Sequence, residues 1–496
     1  MVKKSPVNVN EKMLILASVY TIRFLLCAVT LNGGKYMNLL KKLFGPVDMT
    51  EGTPWQKIAL FTVPMLLGNI AQQLYNAVDS VVVGNYVGDN ALAAVGSAGP
   101  ILNLLIVLFV GISMGASIMV SQYFGARNRE ALSHTVGNCI VLTVIASAIV
   151  MVAGTAAARP LLCLLNTPDS ILDWCTSYLH ILFLGCIGMA FYNILSGVLR
   201  GLGDSVSALI YLVVASVLNI ILDLVFVLMF QMGVMGVALA TVIAQTISAL
   251  LCFWKLMRMR DLFDLKWRYI RWHKKYAGKI VQLGLPSGVT QAIISMSMII
   301  VQSLTNSFGE QFIAANVIVQ RVDGFAMLPN FSFGTAMTTY AGQNVGAGDY
   351  NRVSKGAKQG TLLAVGSSAV ITGLILLFGK GLMGIFTNTA SLVDLSMRMM
   401  CILAPGYIAM AVIQSFSGVM RGAGDTMTPM WISIFQTLFL RVPLAYGMCY
   451  ATRTETLPNG RCECLYLSLL LAWIIGAIIT SVFYAKGRWR KKSITK

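Results

Sequence analysis

The chain has 496 residues, 57% of them apolar and 11% charged, whereas an average soluble domain carries roughly 25% charged residues. That balance excludes a soluble globular protein, and the recurrence of apolar runs of the ~20 residues needed to cross a bilayer indicates an all-α polytopic membrane protein. The formal net charge of +18 does not argue for nucleic acid, because Lys and Arg gather in alternate loops, and the ten cysteines lie mostly in apolar runs without metal-ligand spacing.

Residues 1–50 form an N-terminal extension. Its apolar stretch 13–31 contains Arg23 and follows a basic start. It reads as a signal-like segment, as an additional span, or, in the reading we prefer, as an upstream extension of a chain whose start is Met37. Twelve spans follow, at about 57–84, 91–124, 134–158, 170–199, 207–230, 235–257, 279–304, 312–342, 356–378, 391–420, 430–450 and 465–485. They fall into a first six-helix bundle, 51–257, and a second, 279–485. A basic linker, 258–278, joins the bundles, and a basic tail, 486–496, ends the chain.

Charge sets the expected orientation. Nine Lys and Arg lie between Lys255 and Lys279, and the tail adds Lys486, Arg488, Arg490, Lys491, Lys492 and Lys496. The linker and C-terminus are therefore expected to be cytoplasmic.

Span 1 carries Pro64 and a polar stripe, Asn69, Gln72, Asn76 and Asp79, on one helical face that cannot look at lipid. Span 4 leads into Ser196-Gly-Val-Leu-Arg-Gly-Leu-Gly-Asp-Ser205. Span 10 leads into Ser417-Gly-Val-Met-Arg-Gly-Ala-Gly-Asp-Thr426, identical at seven of ten positions at an offset of 221. The glycines suit a tight turn, so the phrase reads as a structural corner. It lacks the Lys-Ser/Thr of a phosphate-binding loop, which excludes ATP hydrolysis by that route. Lys57 through Pro64 aligns with Lys279 through Pro286, and Gln122–Ala126 with Gln343–Ala347. Six spans, an even number, separate equivalent points, so the halves should be related by a pseudo-two-fold axis along the membrane normal.

Ionisable groups inside the spans cost roughly 2.5–3.5 kcal/mol each on insertion scales, and their default reading is functional. These are Asp79, Asp223, Arg321, Asp323 and Arg441. Asn219 and Asp223 share a face of span 5, and Thr241 has similar depth in span 6. Asp79, Asn219, Asp223 and Thr241 at one depth make a candidate site for Na⁺ or protons. The equivalents of Asp79, Asn219 and Asp223 are apolar (Ile300 or Val301, Leu440, Leu444), so the coupling ion is expected in the first half alone. Gln72, Tyr75, Asn76, Arg321, Asp323 and Arg441 are candidate substrate-cavity residues. Pro64 and Pro286 are candidate hinges. Gly111-x-x-x-Gly115 is a close-packing motif.

Three stretches carry a family resemblance. Pro64 to Gly88, with Gln73-Leu-Tyr-Asn-Ala-Val-Asp79, the two Gly-x-x-Arg-Gly-x-Gly-Asp corners, and Gln343–Ala347 are similar to motifs of the multidrug and toxic compound extrusion (MATE) transporters. The resemblance covers about residues 50–485. It implies two six-helix bundles forming a V around a central cleft, and export of bulky, often cationic compounds in exchange for H⁺ or Na⁺. In one branch an Asp of helix 1, an Asn and Asp of helix 5 and a Thr of helix 6 hold the cation, matching Asp79, Asn219, Asp223 and Thr241. A helix-4 Asn of that branch corresponds to Asn193. Another branch uses acids of helices 7 and 10; here span 7 has none, and Asp394 is only at the edge of span 10.

The expected function is a secondary active antiporter working by alternating access in a bacterial plasma membrane. It is not an enzyme and needs no cofactor beyond the coupling ion. Its partners are small organic substrates and the bilayer, not nucleic acid, and it is a monomer. The alternative is a flippase for lipid-linked precursors, and behind it an intramembrane enzyme, for which no catalytic constellation is present.

Overall fold

The computed structural model describes residues 47–495 apart from 166 and 456. The extension before residue 47, with its apolar stretch 13–31 and Met37, lies outside the described residues. The helices follow the twelve expected spans and are numbered accordingly. The first half contains α1 (Pro54–Val82), α2 (Asp89–Gly125), α3 (Arg129–Leu164), α4 (Asp169–Leu184 with Cys186–Gly201), α5 (Ser205–Leu224) and α6 (Gly233–Arg258). The second half contains α7 (Lys274–Asn306), α8 (Glu310–Ala326 with Leu328–Gly346) and α9 (Tyr350–Gly384). It continues with α10 (Ala390–Leu403 with Gly406–Gly422), α11 (Met427–Ile434 and Val442–Ala451) and α12 (Glu463–Ala485).

Among the described residues, nine helices are long and apolar enough to cross a membrane. The two bent pairs of α4 and α10, turned by 53° and 45°, bring the number to eleven. The twelfth span, α8, departs from the expected single helix over 312–342. It breaks at Met327, with Pro329 in the first turn of the second piece, where a missing N–H costs nothing. It is also the polar span: Asn316, Asn330 and Ser332 are turned inward and buried.

The twin corners are built alike. Gly203 (φ +88°) and Gly424 (φ +96°) take a backbone conformation that side chains resist. Asp204 then caps α5, its Oδ1 accepting from Ser207 N at 2.9 Å, and Asp425 accepts from Thr428 N at 3.3 Å. Asn128 and Asp349, also 221 residues apart, cap α3 and α9 through Ala131 N and Arg352 N. The linker is tied down by Arg129, whose Nη2 donates to Asp264 Oδ1 at 3.1 Å, which holds that carboxyl below the usual range.

Each half has its own apolar core. A third cluster joins them, with Met49, Ile58 and Phe61 packing among Met337, Tyr340 and Val353. Apolar side chains such as Leu377, 79% exposed, and Ile299, 71% exposed, cover the outside, where the bilayer takes the place of water. The seams between halves run α2 against α7 and, by the pseudo-symmetry, α8 against α1. Glycine makes them close. A Cβ on Gly115 would lie 2.1 Å from the Ile280 carbonyl oxygen, and one on Gly284 2.1 Å from that of Gly111. The Gly111-x-x-x-Gly115 motif therefore packs the two bundles against each other.

At the end that carries the linker and tail, the halves clasp reciprocally. Gln122 Nε2 donates to the Gly422 carbonyl at 2.8 Å, and Gln343 Nε2 to the Gly201 carbonyl at 3.1 Å. Both partners are 221 residues apart. The other amide atom of each glutamine holds a segment that flanks the bundles: Gln122 Oε1 accepts from Ile494 N in the C-terminal tail, and Gln343 Oε1 from Met49 N ahead of α1, each at 2.9 Å.

Candidate functional site: a carboxylate pair and a separate cavity

Two polar regions interrupt the apolar interior. The first lies wholly in the first half. Asp79 stands on the last turn of α1, just before a π-helical turn, Val83–Val87; Asp223 stands at the end of α5, just before another, Val225–Met229. Such turns interrupt the regular helical ladder, and they recur at functional sites. The two carboxylates are close enough to interact directly. Oδ1 of each is buried without a hydrogen-bond partner, and Asp223 and Asn219 are completely buried. With its amide turned to satisfy both ends, Asn219 donates from Nδ2 to Asp223 Oδ2 at 2.9 Å and accepts from Thr241 N at 3.1 Å. Tyr75 lies beside Thr241 and within electrostatic reach of both acids, as does Tyr178 of α4.

The chemistry of that set is narrow. Two ionised carboxylates so close repel unless a proton or cation stands between them. Two unpaired carboxylate oxygens, an amide and a hydroxyl are hard donors that suit H⁺ or Na⁺. Asn193 makes a different arrangement: its Nδ2 donates to the Met189 carbonyl one turn back on α4, at 2.8 Å. No described hydrogen bond joins it to the acids.

The second region is a cavity of about 760 Å³ between α7, α8, α10, α11 and α12, closed on the first-half side by Gln73, Val110 and Met114. Its size falls within the usual range for small-molecule sites, and its wall is apolar with scattered amides and hydroxyls. Asp323 and Arg441 both line it and are within electrostatic reach of each other, and Tyr407 Oη donates to Asp323 Oδ1 at 3.0 Å. Arg441 ends the π-helical stretch Phe435–Arg441 of α11. Pro286, buried within α7, also lines the cavity, and Pro64 is buried within α1.

The remaining cavity candidates lie elsewhere. Gln73, not Gln72 or Asn76, lines the cavity; Gln72 Nε2 faces Asn76 Oδ1 at 3.5 Å on an exposed face. The stripe of span 1 is thus divided, since Asn69 Nδ2 donates across the seam to Ser332 Oγ at 2.9 Å. Tyr75 sits with the acids, and Arg321 is exposed on α8. Tyr178 and Arg421, which the sequence did not single out, stand beside the acids and in the cavity wall respectively.

Comparisons with known proteins agree with this architecture. The MatE family profile matches twice, over residues 64–225 and 286–447, beginning each time at the proline of α1 or α7. The probable multidrug resistance protein YoeA of Bacillus subtilis (strain 168) is 30% identical over 450 residues, covering 89% of this chain and 96% of that protein. The probable multidrug resistance protein NorM of Thermotoga maritima is 24% identical, covering 88% and 94%. Among solved structures, an outward-facing multidrug resistance MATE family transporter of the MOP superfamily superposes with a TM-score of 0.83 at 23% identity, over 90% of this chain and 99% of that one. A MATE structure in the bent conformation gives the same TM-score and identity, with 90% and 98% coverage. The chain belongs to the MatE family, the multidrug and toxic compound extrusion transporters.

Proposed function

We propose that the protein is a secondary active antiporter that exports drugs or other bulky organic compounds in exchange for H⁺ or Na⁺. The observation that carries this reading is the physical separation of the two regions. A pair of adjoining carboxylates, each with one oxygen buried and unpartnered, sits in the first half, and a ligand-sized cavity sits chiefly in the second. An ion that must be exchanged for a drug needs its own site, coupled to the cavity through helices that both share. Here α1 supplies Asp79 to the pair and Gln73 to the cavity wall, six residues apart on one helix.

In the cycle we infer, Asp79 and Asp223 take up the ion, with Asn219, Thr241 and Tyr75 holding them in place. Neutralising the pair removes its repulsion and changes the packing of α1 around Pro64 and of α7 around Pro286. The bundles then rock about the glycine seams and the cavity changes sides. A membrane potential of 100 mV supplies ~2.3 kcal/mol for each charge moved. The basic linker and tail lie on the cytoplasmic side of a bacterial plasma membrane, by the positive-inside rule, and the protein acts as a monomer. Asn193 plays no direct part in ion binding in this scheme.

The test is ethidium efflux from proteoliposomes under imposed proton or sodium gradients. Asp79→Asn should reduce gradient-driven efflux to the protein-free leak while incorporating at wild-type level. Full coupled efflux by that variant would remove the acid pair from the mechanism. Whichever gradient drives the wild type names the ion.

A further inference from the structure

The two copies of the corner phrase differ in what their arginines touch. In the first half, Arg200 is tied down: Nη1 donates to Ser196 Oγ at 3.1 Å and Nη2 faces Ser113 Oγ at 3.4 Å. Asn193 and Ser196 on the same helix face are also engaged, with the Met189 carbonyl and the Asn193 carbonyl. In the second half the corresponding residues, each 221 positions on, are Gln414, Ser417 and Arg421, and all three line the cavity. The counterpart of Ser113 is Gly334. The geometry is preserved there, since a Cβ on Gly197 would strike Ser113 Oγ and one on Gly418 the Gly334 carbonyl oxygen, at 2.3 and 2.4 Å. What has gone is the hydroxyl.

Among the described residues, Arg421 consequently has no hydrogen-bond or ion-pair partner. Its Nε is buried with no hydrogen-bond acceptor. Asp425, one turn on, is already occupied by Thr428 N and by Thr428 Oγ1 at 2.8 Å. The one carboxylate among the described cavity-lining residues, Asp323, accepts from Tyr407 and lies within electrostatic reach of Arg441, whose Nε is likewise buried without an acceptor, and not of Arg421. The cavity therefore holds a guanidinium that none of the described residues neutralises, flanked by a hydroxyl and an amide at i−4 and i−7 on one face of α10. A buried unpaired cation is costly, and guanidinium is the side chain best shaped for bidentate recognition of an oxyanion.

We propose that Gln414, Ser417 and Arg421 form an anion-accepting subsite in the cavity. The carboxylate, sulfonate or phosphate of a bulky organic anion or zwitterion would dock against the Arg421 guanidinium. The apolar body of the compound would lie along the α7 and α11 walls. This gives one chemical class of exported compound, beside the cations of the efflux assay, and it rests on the cavity being the substrate site of the antiporter proposed above.

Equilibrium binding to the purified, detergent-solubilised protein tests the subsite without needing transport. Rhodamine B carries a free carboxylate, and its ethyl ester keeps the same xanthene body without it. Fluorescence anisotropy should show rhodamine B binding about 10-fold tighter than the ester. Arg421→Gln should erase the difference while the ester's affinity stays within about twofold, which also reports that the cavity remains folded. Arg421→Lys, which keeps the charge but not the fork, should retain part of the preference. Equal affinities in the wild type would overturn the proposal, as would a preference that survives Arg421→Gln. Neither result bears on ethidium efflux, a cation assay, so failure of the subsite and failure of the antiporter reading are distinguishable.

Discussion

Replacing one acid of the pair should have opposite effects on function and stability. With an amide at position 223, Asp79 meets a neutral donor in place of a second carboxylate, and no proton or cation is needed between them. Asp223→Asn should therefore abolish gradient-driven efflux yet unfold in detergent no earlier than the wild type, as followed by its thermal transition. Asn219→Leu should do the reverse to stability. It strips Asp223 Oδ2 of its donor in a buried place, at a cost of about 1–3 kcal/mol. If Asp223→Asn melts well below Asn219→Leu, the pair is a structural tie rather than a strained one. That Asp79, Asn219, Asp223 and Thr241 lie together was legible in the sequence, because polar residues in apolar spans at common depth have few places to go. Gln73 was not, because the rotation of α1 about its axis depends on what packs around it. Arg421 was hidden by repetition. The phrase reads as a corner in both copies, and only the change from Ser113 to Gly334, far away in the chain, separates their environments.

At the scale of elements, the spans and their pairing into two sixes were legible from apolar runs and charge alternation. The internal breaks were not. Bends at Gly185 in α4 and at Ala404-Pro405 in α10, and the break at Met327, leave an apolar run uninterrupted or nearly so. The twelfth span is in two pieces and more polar than the others, and Asn316, Asn330 and Ser332 find partners inside the bundle. What the elements require of each other is clearest where α2 and α8 cross. A Cβ on Gly125 would lie 1.8 Å from the Gln343 carbonyl oxygen, and one on Gly346 2.0 Å from that of Gln122. Backbone cannot retreat as a flexible side chain can. Gly125→Ala and Gly346→Ala should each destabilise the protein by about 1–3 kcal/mol, the usual cost of overpacking. Gly366→Ala, with open space around the added methyl, should leave the thermal transition where it is or raise it. Equal behaviour of all three variants would mean that the crossing is loose in the working protein.

For the whole molecule, the clasp at the linker end closes one side of the seam between halves. Gln122 and Gln343 each bridge from their own half to the opposite corner while binding a segment that flanks the bundles, so four hydrogen bonds to backbone converge on two side chains. The arms exchange as well: Met49 packs among Met337, Tyr340 and Val353 of the second half in the cluster that joins the halves, and Ile494 against the first-half core. A rocking transition that opens this end must break all four bonds together. At a net ~0.5–1.5 kcal/mol each, they bias the molecule toward the linker-end-closed state by about 2–6 kcal/mol, enough to make the open state a minor population. Gln122→Ala with Gln343→Ala should populate it. Spin labels at Glu130 and Lys355 in a cysteine-free background would read this by electron–electron distance measurement, as a second, longer distance absent from the parent. Because each glutamine sits on its own side of the axis but serves the same gap, each single variant should shift the population by about half the free energy of the pair. The Asp79→Asn change, which acts through the ion, should shift it without touching the clasp. An unchanged distance distribution in the double variant would place the barrier to opening in the glycine seams rather than at this end.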